Sequence, residues 1–446
     1  MKKKLIIASF FLLLKVVGAF SQTISLEQAR LLALANSRSL ARYELAIRSS
    51  ILDEKSQVFS MLPSVSAEYN ASVNYLLDWE FVNPVDTFRT GATLSITQII
   101  FQGGKSFIQK AISAISTDSV RKDALSEYFN VLDTVDSAYY AALEAAATLD
   151  AEELSLQLVN LNLSIAEIRQ ASGMISSGDY LKALADKESR ENSYNQARRN
   201  LALSMAKFKV ITGITDNAHL EQLDFSVYEE LLQRLSVISD EEANVLFDEF
   251  WKILCASNPT LAKAALNNER AQRNLTLARR DYAPTISATV FSTGLNYSTM
   301  KGFDTTSSGG VAIRGSIPVD FWVMNNKIEK SKIASESAAY DFINTQVSME
   351  TELQSVLLNI FAQAGTVLSS RRSLEYTERH FDFVMERYRL SQSSVSEMVE
   401  ASSLFINSRN NHTRAKYSFL QSLSRLRSLC ALDDEEKLVG ILGLTN

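Results

Sequence analysis

His219, His380 and His412, with Cys255 and Cys430, have the widest chemical repertoire of any residues in this chain. They are scattered. No histidine stands beside a candidate nucleophile, and neither cysteine has a second His or Cys at zinc-ligand spacing. The patterns Gly-x-Ser-x-Gly, His-Glu-x-x-His and the Walker loop are absent. Gly103-Gly104-Lys105-Ser106 places glycines before a lysine and a hydroxyl, but the loop is too short to cradle a phosphate. No enzyme, metal centre or cofactor is therefore expected. Cys255 and Cys430 are 175 residues apart. A disulfide needs their Cα atoms within about 7 Å, and nothing in the sequence brings them together. The spacing with most chemical content is acidic: Glu397 and Glu400, three apart, share one face of a helix. Such a pair attracts cations, or it is a solvated first turn favoured by the helix dipole. Both readings stand on spacing alone.

The elements that must carry these residues begin with an export signal. Lys2, Lys3 and Lys4 precede an apolar stretch from Leu5 to Leu14, with Ala19 and Ser21 at the −3 and −1 positions of a cleavage site. Residues 1–21 read as a signal peptide, and the mature chain begins near Gln22. Losing Lys2, Lys3, Lys4 and Lys15 takes the net charge from −6 to −10. So acidic an exported chain is a poor binder of nucleic acid. Among 446 residues, 46% are apolar and only 5 are proline, which excludes disordered and collagen-like classes. No apolar run beyond the first 20 residues reaches the ~18 that a spanning helix needs.

Neither Gly nor Pro occurs between Gly104 and Gly173. At about 1.5 Å per residue this segment predicts a helix of roughly 100 Å. Leu154, Leu158, Leu161, Ile165 and Ile168 recur at alternating spacings of 4 and 3, the seam of a coiled coil. The chain also repeats itself. At an offset of 221, Leu40, Ala41, Leu45, Pro63, Ser66 and Ala67 match Leu261, Ala262, Leu266, Pro284, Ser287 and Ala288. Lys105 corresponds to Lys327, Asp179 to Glu397 and Ala183 to Ala401. Each half reads as helix, proline, strand, loop, strand, long helix, tight turn, helix.

The strands are two-faced. Val65, Ala67, Tyr69, Ala71, Val73 and Tyr75 alternate with Ser64, Ser66, Glu68, Asn70, Ser72 and Asn74. Ala92, Leu94 and Ile96 alternate with Thr93, Ser95 and Thr97, and Val311, Ile313, Ile317 and Val319 with Arg314, Ser316 and Asp320. Between residues 285 and 298 the apolar set switches from Ile286, Ala288 and Val290 to Phe291, Leu295 and Tyr297, the mark of a bulge. Strands of about 9–11 residues cross a bilayer when tilted. Tyr69, Tyr75, Phe101, Tyr297, Phe321 and Trp322 could supply interfacial aromatics. Four strands cannot close a barrel, and an open edge in lipid leaves backbone groups unsatisfied. Strands in a membrane would therefore have to be shared among several chains.

The two repeats, four strands, long helices and turns together resemble the TolC-type outer-membrane efflux proteins, over essentially all of the mature chain. The resemblance implies a mainly helical fold with a transmembrane β portion. It further implies a homotrimer with a twelve-stranded barrel in outer-membrane lipid and an α-helical tunnel through the periplasm. Partners would be a periplasmic membrane-fusion adaptor and an inner-membrane transporter, proton-driven or ATP-driven. Glu397 and Glu400 fall on the family's two acidic positions and would form stacked carboxylate rings near the trimer axis, favouring cations. Asp179 falls on the gate-bonding acidic position and Tyr388 on its tyrosine partner. Asp179 also fits a plain first-turn helix residue. Gly173 and Gly178 border the first tip turn. Ser391 replaces the second tip's turn glycine, and Ser393 stands where an arginine would strengthen the lock.

The expected layout is a first repeat over 22–212, with strands near 64–77 and 88–101, then an equatorial segment over 213–248. A second repeat follows over 249–432, with strands near 285–298 and 309–321, and a C-terminal equatorial segment over 433–446. The function implied is a passive exit duct for efflux or type I secretion, opened at its helical tips. The alternative is an exported trimeric coiled-coil structural or adhesive protein. It accounts for the long helices but not for the duplicated strands.

Overall fold

The computed structural model describes residues 23–74, 87–215, 219–298, 302–304, 307–433 and 435–443. The predicted signal peptide and the last three residues of the first predicted strand, Tyr75 among them, lie outside them. In chain order the elements are β1 (Thr23–Ile24), α1 (Leu26–Asn36), α2 (Arg38–Phe59), β2 (Ser64–Asn74), β3 (Thr87–Phe101), α3 (Lys105–Ala171) and α4 (Ser177–Thr212). There follow β4 (His219–Leu220), a 3-10 turn (Phe225–Tyr228), α5 (Glu229–Leu235), α6 (Asp240–Ser257) and α7 (Pro259–Arg279). The last are β5 (Thr285–Ser298), β6 (Gly302–Asp304), β7 (Ser308–Ser316), α8 (Phe321–Arg389), α9 (Val395–Leu429) and α10 (Glu435–Gly443).

The duplication runs through all the larger elements. α1 and α2 break at Ser37, whose ψ of 108° is extended, and α6 and α7 break at Asn258 with ψ 121°. Pro259 forbids the preceding residue a helical backbone, which sets the second break. α6 is thus the counterpart of α1. It begins at Asp240, inside the segment predicted as equatorial, because Ser239 and Glu242 form a reciprocal capping box there. The helices α3 and α8 run for 67 and 69 residues. Among the described residues no helix is long and apolar enough to cross a membrane.

The chain divides into two compact units. One, Ala41–Leu125 with Pro259–Ser348, holds an antiparallel sheet in the order β2-β3-β5, with β6 and β7 filling the next position in succession. Register places Val65, Ile96, Val290 and Val311 in one cross-strand row, and these are 67%, 43%, 52% and 72% exposed. The opposite face is hydroxylated. Ser66 Oγ lies 2.8 Å from Ser95 Oγ, and Thr97 Oγ1 lies 3.1 Å from Thr289 Oγ1. The bulge falls between Gly294 and Tyr297, where β5 spends two residues against Gly91 of β3. That extra residue puts Tyr297 on the same face as Val73 and Phe88, whose ring centroid is 6.2 Å from that of Tyr297. Phe291 stays on the hydroxylated face, against Gly310.

The last predicted strand, 309–321, ends early, at Ser316. Pro318 has no N–H to continue a ladder, and Met324 N already donates to Asp320 O at 3.0 Å as α8 begins. Phe321 and Trp322, predicted at a strand end, open this helix instead and are exposed. At the foot of the sheet the repeat-related Lys105 and Lys327 both pair with Asp281, Lys105 at 2.9 Å. Gly103, at φ 66°, lies where a Cβ would meet Ala283 Cβ at 2.2 Å, so only glycine fits this strand-to-helix step.

The other unit comprises the chain up to Leu40, Ser126–Asn258 and Met349–Asn446. β1 and β4 pair in parallel there, clipped by Tyr139 Oη, which donates to Ile24 O at 3.0 Å or Glu221 O at 2.7 Å. Beneath them Asp136 is fully buried. It accepts bonds from Arg30 at 2.7 and 2.9 Å, Arg427 at 2.7 Å and Ser424 at 2.6 Å, which ties α1, α3 and α9 together. Cys255 is exposed and Cys430 buried, and both are free thiols.

Candidate functional site: the paired helical tips

In the second unit, two helical reversals carry every residue singled out as a gate candidate. The turns are built alike at an offset of 218. Gly173 N donates to Gln170 O and Met174 N to Arg169 O, at 3.0 and 2.8 Å. Ser391 N donates to Tyr388 O and Gln392 N to Arg387 O, at 3.1 and 2.8 Å. Gly173 has φ 71° and Ser391 has φ 62°. Ser391 therefore keeps the glycine geometry and carries the strain of a left-handed backbone itself. Gly178 is not a turn residue. It lies in the first turn of α4 with no left-handed φ.

Each returning helix opens with a capping box. Ser176 Oγ accepts from Asp179 N at 3.1 Å, and the Asp179 carboxylate accepts from Ser176 Oγ at 2.7 Å and Ser176 N at 3.3 Å. Ser394 Oγ accepts from Glu397 N at 3.2 Å, and the Glu397 carboxylate accepts from Ser394 N at 3.4 Å and from Ser393 Oγ. The Ser393 hydroxyl bond, then the Ser394 amide, holds the Glu397 carboxyl below its ordinary range. Glu397 and Glu400 are both exposed on α9 and take no part in packing. Ser393 thus supports an acidic residue at the position where the resemblance led to an arginine.

Tyr388 is 0% exposed. Among the described residues no hydrogen bond joins it to Asp179, whose carboxylate is bonded to Ser176. Its Oη has no hydrogen-bond partner among the described residues, and burial pushes the phenol up against the opposing charge of Arg169. What holds Tyr388 is Arg169, a residue that the sequence analysis passed over. The guanidinium, in a side chain 8% exposed, lies 4.4 Å from the Tyr388 ring centroid and donates to the Tyr388 carbonyl. That carbonyl is in the last turn of α8, where the helix dipole favours a cation. A signal was available: Arg169 and Arg387 stand 218 apart, the offset that matches Asp179 to Glu397. Arg387 instead caps its own turn, donating to Gln392 O at 2.9 Å. Lys182 Nζ, 2.6 Å from Ser396 Oγ, and Arg190, bonded to Ser403, further join the two reversals.

Around Tyr388 packs an apolar cluster that includes Ala166, Ala183, Phe381, Met398 and Phe405, with the Phe381 and Phe405 rings stacked at 5.3 Å. The seam of α3 is not the leucine stripe. Between residues 151 and 169 its buried positions are Ala151, Glu152, Ser155, Val159, Asn162, Ala166 and Arg169, while Leu161 and Ile168 are exposed and Leu154, Leu158 and Ile165 flank the cluster. Small and polar residues line the inner contact. Ser155 Oγ and both Asn162 amide atoms lack partners among the described residues, and Asn410 donates to Glu152 at 2.9 Å. Among the described residues no group of acidic, His or Cys side chains is placed to hold a metal ion.

The model of the outer membrane efflux protein family matches residues 30–213 and 252–431. No curated protein matches the chain. Solved structures share its fold. The CusC channel superposes with TM-score 0.77 at 15% identity, covering 94% of this chain and 95% of that one. The Campylobacter jejuni CmeC outer membrane channel gives 0.75 at 16%, covering 92% and 88%. The open state of the Neisseria gonorrhoeae MtrE outer membrane channel gives 0.69 at 14%, covering 91% and 88%. Two matched segments, one per repeat and together most of the chain, carry the assignment: this chain belongs to the outer membrane efflux protein family.

Proposed function

We propose that three copies of this chain form a passive exit duct. It is closed by a barrel of pooled strands in the outer membrane and gated at the periplasmic helical tips. The supporting observation is the sheet. Among the described residues β2 pairs only with β3, and β7 only with β5, which leaves two strand edges of the sheet unpaired there. Its apolar row is exposed while hydroxyls bond to one another on the opposite face. In lipid such edges are satisfied only by closure, and four strand positions from each of three copies make twelve. An adaptor and an inner-membrane transporter would supply the energy.

At the tips Arg169 acts as the clasp between the two reversals, and Glu397 with Glu400 as the charged ring. Both glutamates are free of packing, and the lowered Glu397 pKa keeps that carboxylate ionised. The test is conduction. Purified chain in planar bilayers is expected to form trimeric, cation-selective channels. Glu397→Gln with Glu400→Gln removes the charge but retains capping ability, so selectivity for cations should fall. A folded trimer that conducts nothing sinks the duct. Unchanged selectivity in the double variant removes these residues from the lumen.

A further inference from the structure

Beside the 3-10 turn Phe225–Tyr228 lies a cavity of about 240 Å³, lined in part by Phe225, Glu229, Arg371, His412 and Lys416. Neither the strands nor the tips make use of it. Its charges do not cancel. Arg371 is paired with Glu229. Lys416 has no carboxylate within ion-pair distance among the described residues; its Nζ instead lies 4.8 Å from the Phe225 ring centroid. Burial pushes the Lys416 ammonium down. His412, 3.2 Å from Ser370 Oγ, is pushed down to about 4 by burial and then by the charges of Lys416 and Arg371. The imidazole is therefore neutral at physiological pH, and one positive charge in the cavity is left over. The half-buried ammonium has lost part of its hydration, and the Phe225 ring face offsets this only in part, because it does not take up the N–H groups as an anion would. An oxyanion accepting its N–H groups would restore charge-assisted bonds.

We propose that this cavity binds a small oxyanion of the phosphate or carboxylate type. Lys416 Nζ is the principal donor, Arg371 the second, and the Phe225 ring an apolar wall. The site does not depend on the duct reading, because its ligand touches neither the sheet nor the tips. The full chain in detergent is titrated calorimetrically at neutral pH with sodium phosphate and, separately, sodium acetate, against sodium chloride at matched ionic strength. Saturable binding is expected with the oxyanions and not with chloride, and the tighter of the two arms identifies the ligand class. Lys416→Met should weaken binding by about tenfold or more, the loss of one charged hydrogen bond, whereas Lys416→Arg should retain it. Arg371→Gln, which leaves Glu229 unpaired at the cavity, should weaken binding in the same sense and serves if Lys416→Met does not fold. The site is overturned by equal responses to chloride, by no saturable heat from either oxyanion, or by undiminished binding in the variants.

Discussion

Replacing Arg169 by methionine tests the tip geometry most directly. The substitution keeps much of the side chain's apolar length and removes the guanidinium from the Tyr388 ring and carbonyl. A hydrogen bond from a charged donor contributes about 1.5–3 kcal/mol, and a desolvated cation–π contact contributes about 2 kcal/mol. Relief of the cost of burying a guanidinium offsets part of this, which leaves a net loss of about 2 kcal/mol. At 1.4 kcal/mol per factor of ten, the ratio of clasped to separated reversals falls about 30-fold in each chain. Single-channel recording in planar bilayers should show longer or larger openings than the wild type. Tyr388→Phe is the internal control. It keeps both the ring and the carbonyl that Arg169 uses and deletes only a hydroxyl without a partner, so its conductance should match the wild type. If Arg169→Met lowers thermal stability but leaves conductance unchanged, Arg169 is a packing residue and the clasp reasoning fails. If Tyr388→Phe opens the channel as strongly as Arg169→Met, the hydroxyl has a partner outside the chain, and the lock is not the one described.

Ser391→Gly relieves a left-handed backbone worth about 1–2 kcal/mol and adds unfolded-chain entropy worth about 0.5–1 kcal/mol. The variant should be as stable as the wild type or gain up to about 1.5 kcal/mol in denaturant unfolding; a clear loss would mean that the hydroxyl contributes. Asp136→Asn leaves the part-buried Arg30 and the buried Arg427 without their shared carboxylate and should cost about 3–5 kcal/mol in the same assay. His412 has a folded-state pKa of about 4, below its ordinary 6.5. The unfolded chain therefore takes up this proton first, and stability should be full above about pH 6.5 and drain as pH falls toward 4. His412→Gln should flatten that part of the pH profile, and an unaltered slope would assign it to other groups.

The correspondence between sequence and structure is closest where physics is local. The reversal at Gly173 follows from one residue free to take positive φ, and the copy at 391 follows from the serine that stands in its place. The capping boxes at Ser176 and Ser394 are spelled out by residues three apart. The alternation in β2 assigns each side chain to a face before any partner strand is known, because successive residues of a strand point to opposite sides. Alternation continues past Pro318 to Val319, so periodicity alone does not mark the end of β7 at Ser316. The start of α6 is marked by the Ser239 cap and not by residues that match the first repeat.

The amino-acid order alone determined the duplication, the order of strands and long helices, the tip turns and the exposed acidic pair on α9. Each of these rests on spacings of a few residues, or on comparing the chain with itself. Tertiary structure alone decided which face of α3 becomes the seam. A stripe of leucines fits a partner equally well inside the chain or outside it, and here small and polar positions took the inner contact. It also decided that Arg169 reaches Tyr388, 219 residues away, and that Lys105 and Lys327 converge on Asp281. Such pairings depend on how distant helices are set side by side. Spacing along the chain carries no information about them.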